Sequence, residues 1–132
     1  VIAKSLLFAQ MFLLVCVCGG LGAVARFVLN TSIQRRWNRV FPLSTLVINI
    51  TAAFFAGIAA SAYFYQTVGY FTYLLFVAGF LGGFSTFSTA INEMVSLAKS
   101  NRIVMALGYF AATVIIPFLM IVLGWWIGAM GR

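Results

Sequence analysis

Residues 85–89 carry four hydroxyls, on Ser85, Thr86, Ser88 and Thr89, grouped around Phe87 and preceded by Phe84 and the adjacent glycines Gly82 and Gly83. The run 79–89 lies inside a long apolar segment where a helix is expected to continue. Adjacent glycines each weaken a helix by about 1 kcal/mol relative to alanine. Non-helical backbone in a bilayer survives only where protein buries it or a water-filled cavity meets it. The run therefore predicts a break in a membrane helix, with peptide groups left available to an ion. Ser85 or Thr86 is suited to cap the helix that restarts. The N-terminus of that helix favours an anion, and the carbonyls on the other side of the break favour a cation. The chemistry on offer is ion coordination. With no histidine, a single acid (Glu93) and no nucleophile–base pair of the kind covalent catalysis needs, an enzyme is excluded.

These residues need spans to hold them. The chain is 64% hydrophobic and 7% charged, which is a membrane composition. A spanning helix takes about 20 apolar residues, and four such stretches fit, near 6–30, 43–64, 71–97 and 103–129. The expected fold is an all-α membrane protein: one domain of four transmembrane helices, the third broken at mid-membrane, with no soluble domain. The first stretch reads as a span and not as a cleavable signal, being long and without a clear small-residue cleavage site. Cys16 and Cys18 fall on different faces of it and read as small packing residues.

The first segment holds Gly19, Gly20 and Gly22, which permit close helix approach, and then Arg26, about one turn from the expected helix end. Arg26 reads either as a snorkelling interfacial residue or as an anchor or electropositive vestibule for an anion. The basic loop Gln34-Arg35-Arg36-Trp37-Asn38-Arg39 follows, and Pro42 fits the first turn of the second helix. Thr45 and Asn49 share a face of that helix. An asparagine inside a span either bonds a neighbouring helix or lines a polar path. Late in the third segment, Glu93 reads as a pore-end carboxylate competing for hydroxyl donors, or as a cap or ion pair with Lys99 near the helix end. Tyr109, Thr113 and Pro117 lie along one face of the fourth segment, where Pro117 kinks the helix or frees a carbonyl.

Net charge is +7, but the basic residues sit mainly in loops and at the ends, which argues against nucleic acid as a partner. Four spans put both termini on one side, with Lys4 and Arg132. Arg35, Arg36, Arg39, Lys99 and Arg102 lie on the other. This bias places the loops joining helices 1–2 and 3–4 in the cytoplasm of a multi-pass cell-membrane protein.

Four pieces in order, Gly19-Gly-Leu-Gly-Ala-Val-Ala-Arg26, Pro42-Leu-Ser-Thr-Leu-Val-Ile-Asn49, Gly79-Phe-Leu-Gly-Gly-Phe-Ser-Thr-Phe-Ser-Thr89 and Glu93, resemble the Fluc (CrcB-type) fluoride channels. The resemblance covers essentially the whole chain. It implies an antiparallel dimer with two fluoride pores, each lined by both subunits. The third-helix breaks would cross at the centre around a structural sodium ion (Na+), held by carbonyls that match Gly82 and Ser85. It also implies that Asn49, Phe87, Ser88, Thr89, Tyr109 and Thr113 line the pore, with Thr45 on the face of Asn49, and that Arg26 matches a first-helix arginine. Fluoride is small and strongly hydrated, so a pore must replace its water with donors or electropositive ring edges that still let it leave.

The sequence departs from the family pattern at Ala90 and Ile91, where a second phenylalanine and a serine are expected, and at Pro117 and Ile121, where the fourth helix should carry hydroxyls. The preferred expectation is a heterodimer, in which a second homologous subunit completes at least one pore. The one-sided loop charge fits a fixed orientation. The alternatives are a divergent homodimer, a non-conducting partner subunit and, least supported, a small multidrug-type transporter. The last would need a mid-membrane carboxylate, and the first helix has none.

Overall fold

The structure, a computed structural model, describes residues 1–130, so Arg132 lies outside the described residues. It is an all-α membrane protein. Its four helices are long and apolar enough to span a bilayer: α1 (Ile2–Arg36), α2 (Leu43–Phe64), α3 (Tyr70–Lys99) and α4 (Ile103–Ala129). No strand occurs among the described residues.

Helix α1 runs on to Arg36, past the expected end near residue 30. Arg26 is therefore about three turns inside the helix and not one turn from its end, and Arg35 and Arg36 form the last helical turn. The first loop is pinned by the Trp37 indole N–H, which donates to the Phe41 carbonyl at 2.7 Å, with the Arg39 guanidinium 5.5 Å from the Trp37 ring centre. The turns after α2 and α3 each use one left-handed residue, Gln66 (φ 58°) and Asn101 (φ 60°).

Two pairs of helices carry most of the packing. Helices α2 and α4 touch along a seam of small residues. A Cβ at Gly57 would collide with the Ile121 carbonyl, and one at Gly124 with the Phe54 carbonyl. Helix α1 packs on the first half of α3 in the same way: Gly22 lies against the Phe80 carbonyl and Gly83 against the Gly19 carbonyl. Such contacts bring backbones together without side chains between them, the usual basis of helix association in lipid. Cys18 sits beside Gly79 in this seam, whereas Cys16 is exposed; both are free thiols.

Helix α3 is interrupted inside the expected run 79–89, at its hydroxyl residues and not at its glycines. Gly82 keeps helical dihedrals (φ −62°, ψ −38°), and residues 82–84 form a helical turn. Upstream, Leu75–Leu81 is wound as wide π-type turns, with the Gly82 N–H reaching back to the Val77 carbonyl. The chain leaves the helix at Ser85, which is extended (φ −79°, ψ 160°), and restarts at Ser88. The glycines serve close approach to α1. The break itself falls on the hydroxyl residues that follow them.

Candidate functional site

The break is held by a side chain from another helix. Asn49 on α2 donates from Nδ2 to the Thr86 carbonyl at 2.7 Å, and its Oδ1 accepts the Thr86 N–H at 2.9 Å. In an unbroken helix that N–H would serve the Gly82 carbonyl, four residues back. Thr86 also begins the restarting helix. Its Oγ1 accepts the Thr89 N–H at 3.3 Å and lies 3.0 Å from the Thr89 hydroxyl, so Thr86, of the two expected candidates, makes the capping bond. Across the break, Arg26 reaches from α1 to donate to the Ser85 carbonyl at 3.4 Å.

Around this point is an open groove of about 340 Å³. Asn49, Gly82, Ser85, Thr86, Phe87, Thr113 and Pro117 supply its functional wall, and Ala52, Ala53, Ala56, Val77 and Leu81 its apolar floor. Small residues on α2 make room for it, and a bulky side chain at Ala53 or Ala56 would fill it. Phe87 is 64% exposed and touches little of its own chain. The other rings of this helix behave differently: Phe76, Phe80 and Phe84 stack on one another almost parallel, with centroids 6.1 and 6.0 Å apart.

A second polar cluster lies one turn towards the first loop. The Thr45 hydroxyl donates a hydrogen bond to the Glu93 carboxylate. Tyr109, completely buried, faces Thr45, Thr113 and Glu93, and neither its hydroxyl nor that of Thr113 makes a hydrogen bond among the described residues. Phe41 packs edge-on against the Tyr109 ring at 5.5 Å. Glu93 makes no ion pair among the described residues; its carboxylate goes to a hydroxyl and not to Lys99. It also borders a 290 Å³ cavity lined by Arg39, Gln34 and Ser44, which connects the cluster to the basic loop.

The residues singled out in the sequence thus fall into two groups and a remainder. Asn49, Gly82, Ser85, Phe87 and Thr113 share the groove, with Arg26 bonded to the Ser85 carbonyl from α1. Thr45, Glu93 and Tyr109 share the second cluster. Ser88 and Thr89 are exposed on the surface of the single chain and line neither cavity. Sequence reasoning did not find the Asn49–Thr86 or Thr45–Glu93 pairings, which join residues 37 and 48 apart. The shared face of Thr45 and Asn49 was the signal available.

Two of the four departures from the family pattern, Ala90 and Pro117, have distinct surroundings. Ala90 is fully enclosed, packed with Leu46, Leu97, Ala106 and Tyr109. Pro117 lines the groove itself. Having no N–H, it also leaves the Thr113 carbonyl without its helical donor.

The profile of the family described as CrcB-like protein, Camphor Resistance (CrcB), matches residues 13–125. Fluoride-specific ion channel FluC 1 of Bifidobacterium longum is 55% identical over 116 residues, covering 83% of this chain and 88% of that protein. FluC 3 of the same organism is 47% identical over 105 residues, covering 80% and 87%. FluC 2 of Mycobacterium bovis is 34% identical over 125 residues, covering 95% and 96%. With a family profile spanning its four helices and relatives aligned over most of their length, this chain belongs to the CrcB (Fluc) family.

Proposed function

We propose that this chain is a subunit of a passive, fluoride-selective channel that exports fluoride across the cell membrane. The observation that carries the reading is the groove at the α3 break, where an amide, hydroxyls and the exposed Phe87 ring converge without a fixed full charge among its lining residues. Donors and a positive ring edge substitute for the water of a small anion, and the lack of strong charge lets it leave. Asn49, Phe87 and Thr113 line the path in the groove, and Thr45 and Tyr109 continue it towards Glu93. Ser88 and Thr89, exposed in one subunit, face the partner in this reading.

The working form is an antiparallel dimer with two pores. At its centre the two α3 breaks cross around a sodium ion (Na+). The Gly82 carbonyl suits that ion, because its helical donor is taken by Asn49. The Ser85 carbonyl already accepts from Arg26 at 3.4 Å, so the ion would share that oxygen with a guanidinium or displace it. The partner is a second homologous subunit. Three observations support a heterodimer: the loop charge is one-sided, as suits a subunit of fixed orientation whose α1–α2 and α3–α4 loops would be cytoplasmic; Ala90 stands where a second ring is expected; and FluC 1 and FluC 3 occur together in one organism.

A second reading, a non-conducting partner subunit, is favoured by Pro117. It replaces a hydroxyl in the groove wall and leaves a carbonyl, which repels an anion. Fluoride efflux from liposomes separates the readings. The expected result is little efflux from this chain alone and fast, fluoride-selective efflux when it is co-expressed with a homologous subunit. Fast efflux from the chain alone would sink the heterodimer, and silence in both preparations would leave the non-conducting role.

A further inference from the structure

Asn49 uses both ends of its amide on the backbone of one residue. In a helix, the N–H and C=O of a residue point to opposite ends of the axis. In extended backbone they point the same way, which is how two strand residues exchange a pair of bonds. The double contact from Asn49 to Thr86, at 2.7 and 2.9 Å, is therefore possible only when Thr86 is out of the helix. The orientation of the amide follows from its partners, since an N–H only donates and a carbonyl only accepts. The glycines do not account for the break: Gly82 is helical, and the Cβ of any residue at Gly83 would meet the Gly19 carbonyl of α1, which is a packing requirement.

We propose that Asn49 is a positioning residue whose side-chain amide selects the broken form of α3 and keeps the Gly82 carbonyl out of the helix ladder. The amide replaces two backbone bonds that the bilayer would otherwise leave unmade. It holds Thr86, and Thr86 in turn holds the first turn of the restarting helix through Thr89. Phe87 lies between those two anchors, so Asn49 fixes the ring through the backbone. Serine is too short to make both contacts, and glutamine is one methylene too long. Asparagine, with donor and acceptor on one rigid plane, suits the task. The geometry stands without the channel reading; only its consequence for permeation rests on it.

Hydrogen–deuterium exchange on the purified assembly tests this, read on peptides covering residues 85–87 and compared with fluoride efflux from the same preparations. In Asn49→Ala, exchange at 85–87 should rise by at least about tenfold as the Thr86 N–H loses its acceptor. Peptides from the α2–α4 seam should keep their protection. Asn49→Asp keeps an acceptor for the Thr86 N–H but loses the donor and sets a carboxylate oxygen against the Thr86 carbonyl, so exchange at 85–87 should also rise, by about threefold or more. Unchanged exchange in Asn49→Ala would overturn the proposal, and if efflux were lost at the same time Asn49 would be a direct donor to the anion. Should Asn49→Ala yield no folded protein, Asn49→Asp decides alone: raised exchange at 85–87 supports the clamp, and unchanged exchange rejects it. An unsubstituted assembly that conducts no fluoride would defeat the channel reading and leave the exchange comparison intact.

Discussion

Thr45 on α2 donates its hydroxyl to the carboxylate of Glu93 on α3, the only acidic residue in the chain. The bond occupies a donor that an anion would otherwise use, and it gives the carboxylate a partner inside the span. Removing the donor should therefore cost more than neutralising the acceptor. Thr45→Val should destabilise the fold by about 1–3 kcal/mol, the cost of leaving a partly buried polar group unmatched. Glu93→Gln keeps an oxygen for Thr45 and should change stability by less than about 1 kcal/mol. Thermal unfolding of the detergent-solubilised protein measures both, and equal losses would show that the pairing is not what supports Glu93.

The glycine seams give an internal control. Gly57 and Gly124 lie where an added methyl meets a facing carbonyl, whereas nothing lies within 4 Å of a methyl at Gly20 or Gly108. Gly57→Ala or Gly124→Ala should destabilise the α2–α4 pair by about 1–3 kcal/mol, as overpacking does. Gly108→Ala should be neutral or stabilising by up to about 1 kcal/mol, since alanine is the better helix former. Unfolding midpoints that ranked the three alanines alike would reject the close approach.

Restoring the family pattern at two of its departures, Ala90 and Pro117, should give opposite results. Ala90 has no exposed surface and no space beside Tyr109 and Leu97. Ala90→Phe should cost about 1–3 kcal/mol or more and lower the yield of folded protein. Pro117→Ser places a hydroxyl in the groove and returns an N–H to the Thr113 carbonyl, so it should be tolerated and should raise fluoride efflux. Efflux recovered by Ala90→Phe, with stability intact, would show that the seat of the second ring is open.

Phe87 separates function from stability. Its ring is 64% exposed in the single chain, so Phe87→Leu should alter subunit stability by less than about 0.5 kcal/mol, as surface changes do. Fluoride efflux by the conducting assembly should nevertheless fall by about tenfold or more, because leucine offers no positive ring edge. Efflux at the unsubstituted rate would remove Phe87 from the path.

Much of the architecture was legible because lipid leaves few solutions. Four apolar runs of spanning length give four helices, and hydroxyls after glycines marked the interruption of α3. The exact place of that break was not legible. The run 79–89 bounds it, and within that run the break falls at Ser85–Thr86, where Asn49 holds Thr86. Nothing local to residues 82–89 reports a partner on another helix. For the same reason α1 seemed to end early. Its polar residues 30–36 look like loop, yet they complete a helix to Arg36. Arg26, read near a helix end, instead reaches the Ser85 carbonyl across the α1–α3 seam, a contact that only the close glycine packing makes possible.

The clamp also imposes an order on biogenesis. Asn49 and Thr86 are separated by 37 residues, and the bond between them needs α2 already in the membrane when the second half of α3 arrives. Until then α3 has no partner for the Thr86 peptide, and lipid favours keeping that peptide in an unbroken helix. The nascent third span should therefore enter the bilayer straight and be broken afterwards, when it docks on α2. Formation of the groove should then be a late event of helix assembly, and a chain released before that step would be inserted and helical but without it.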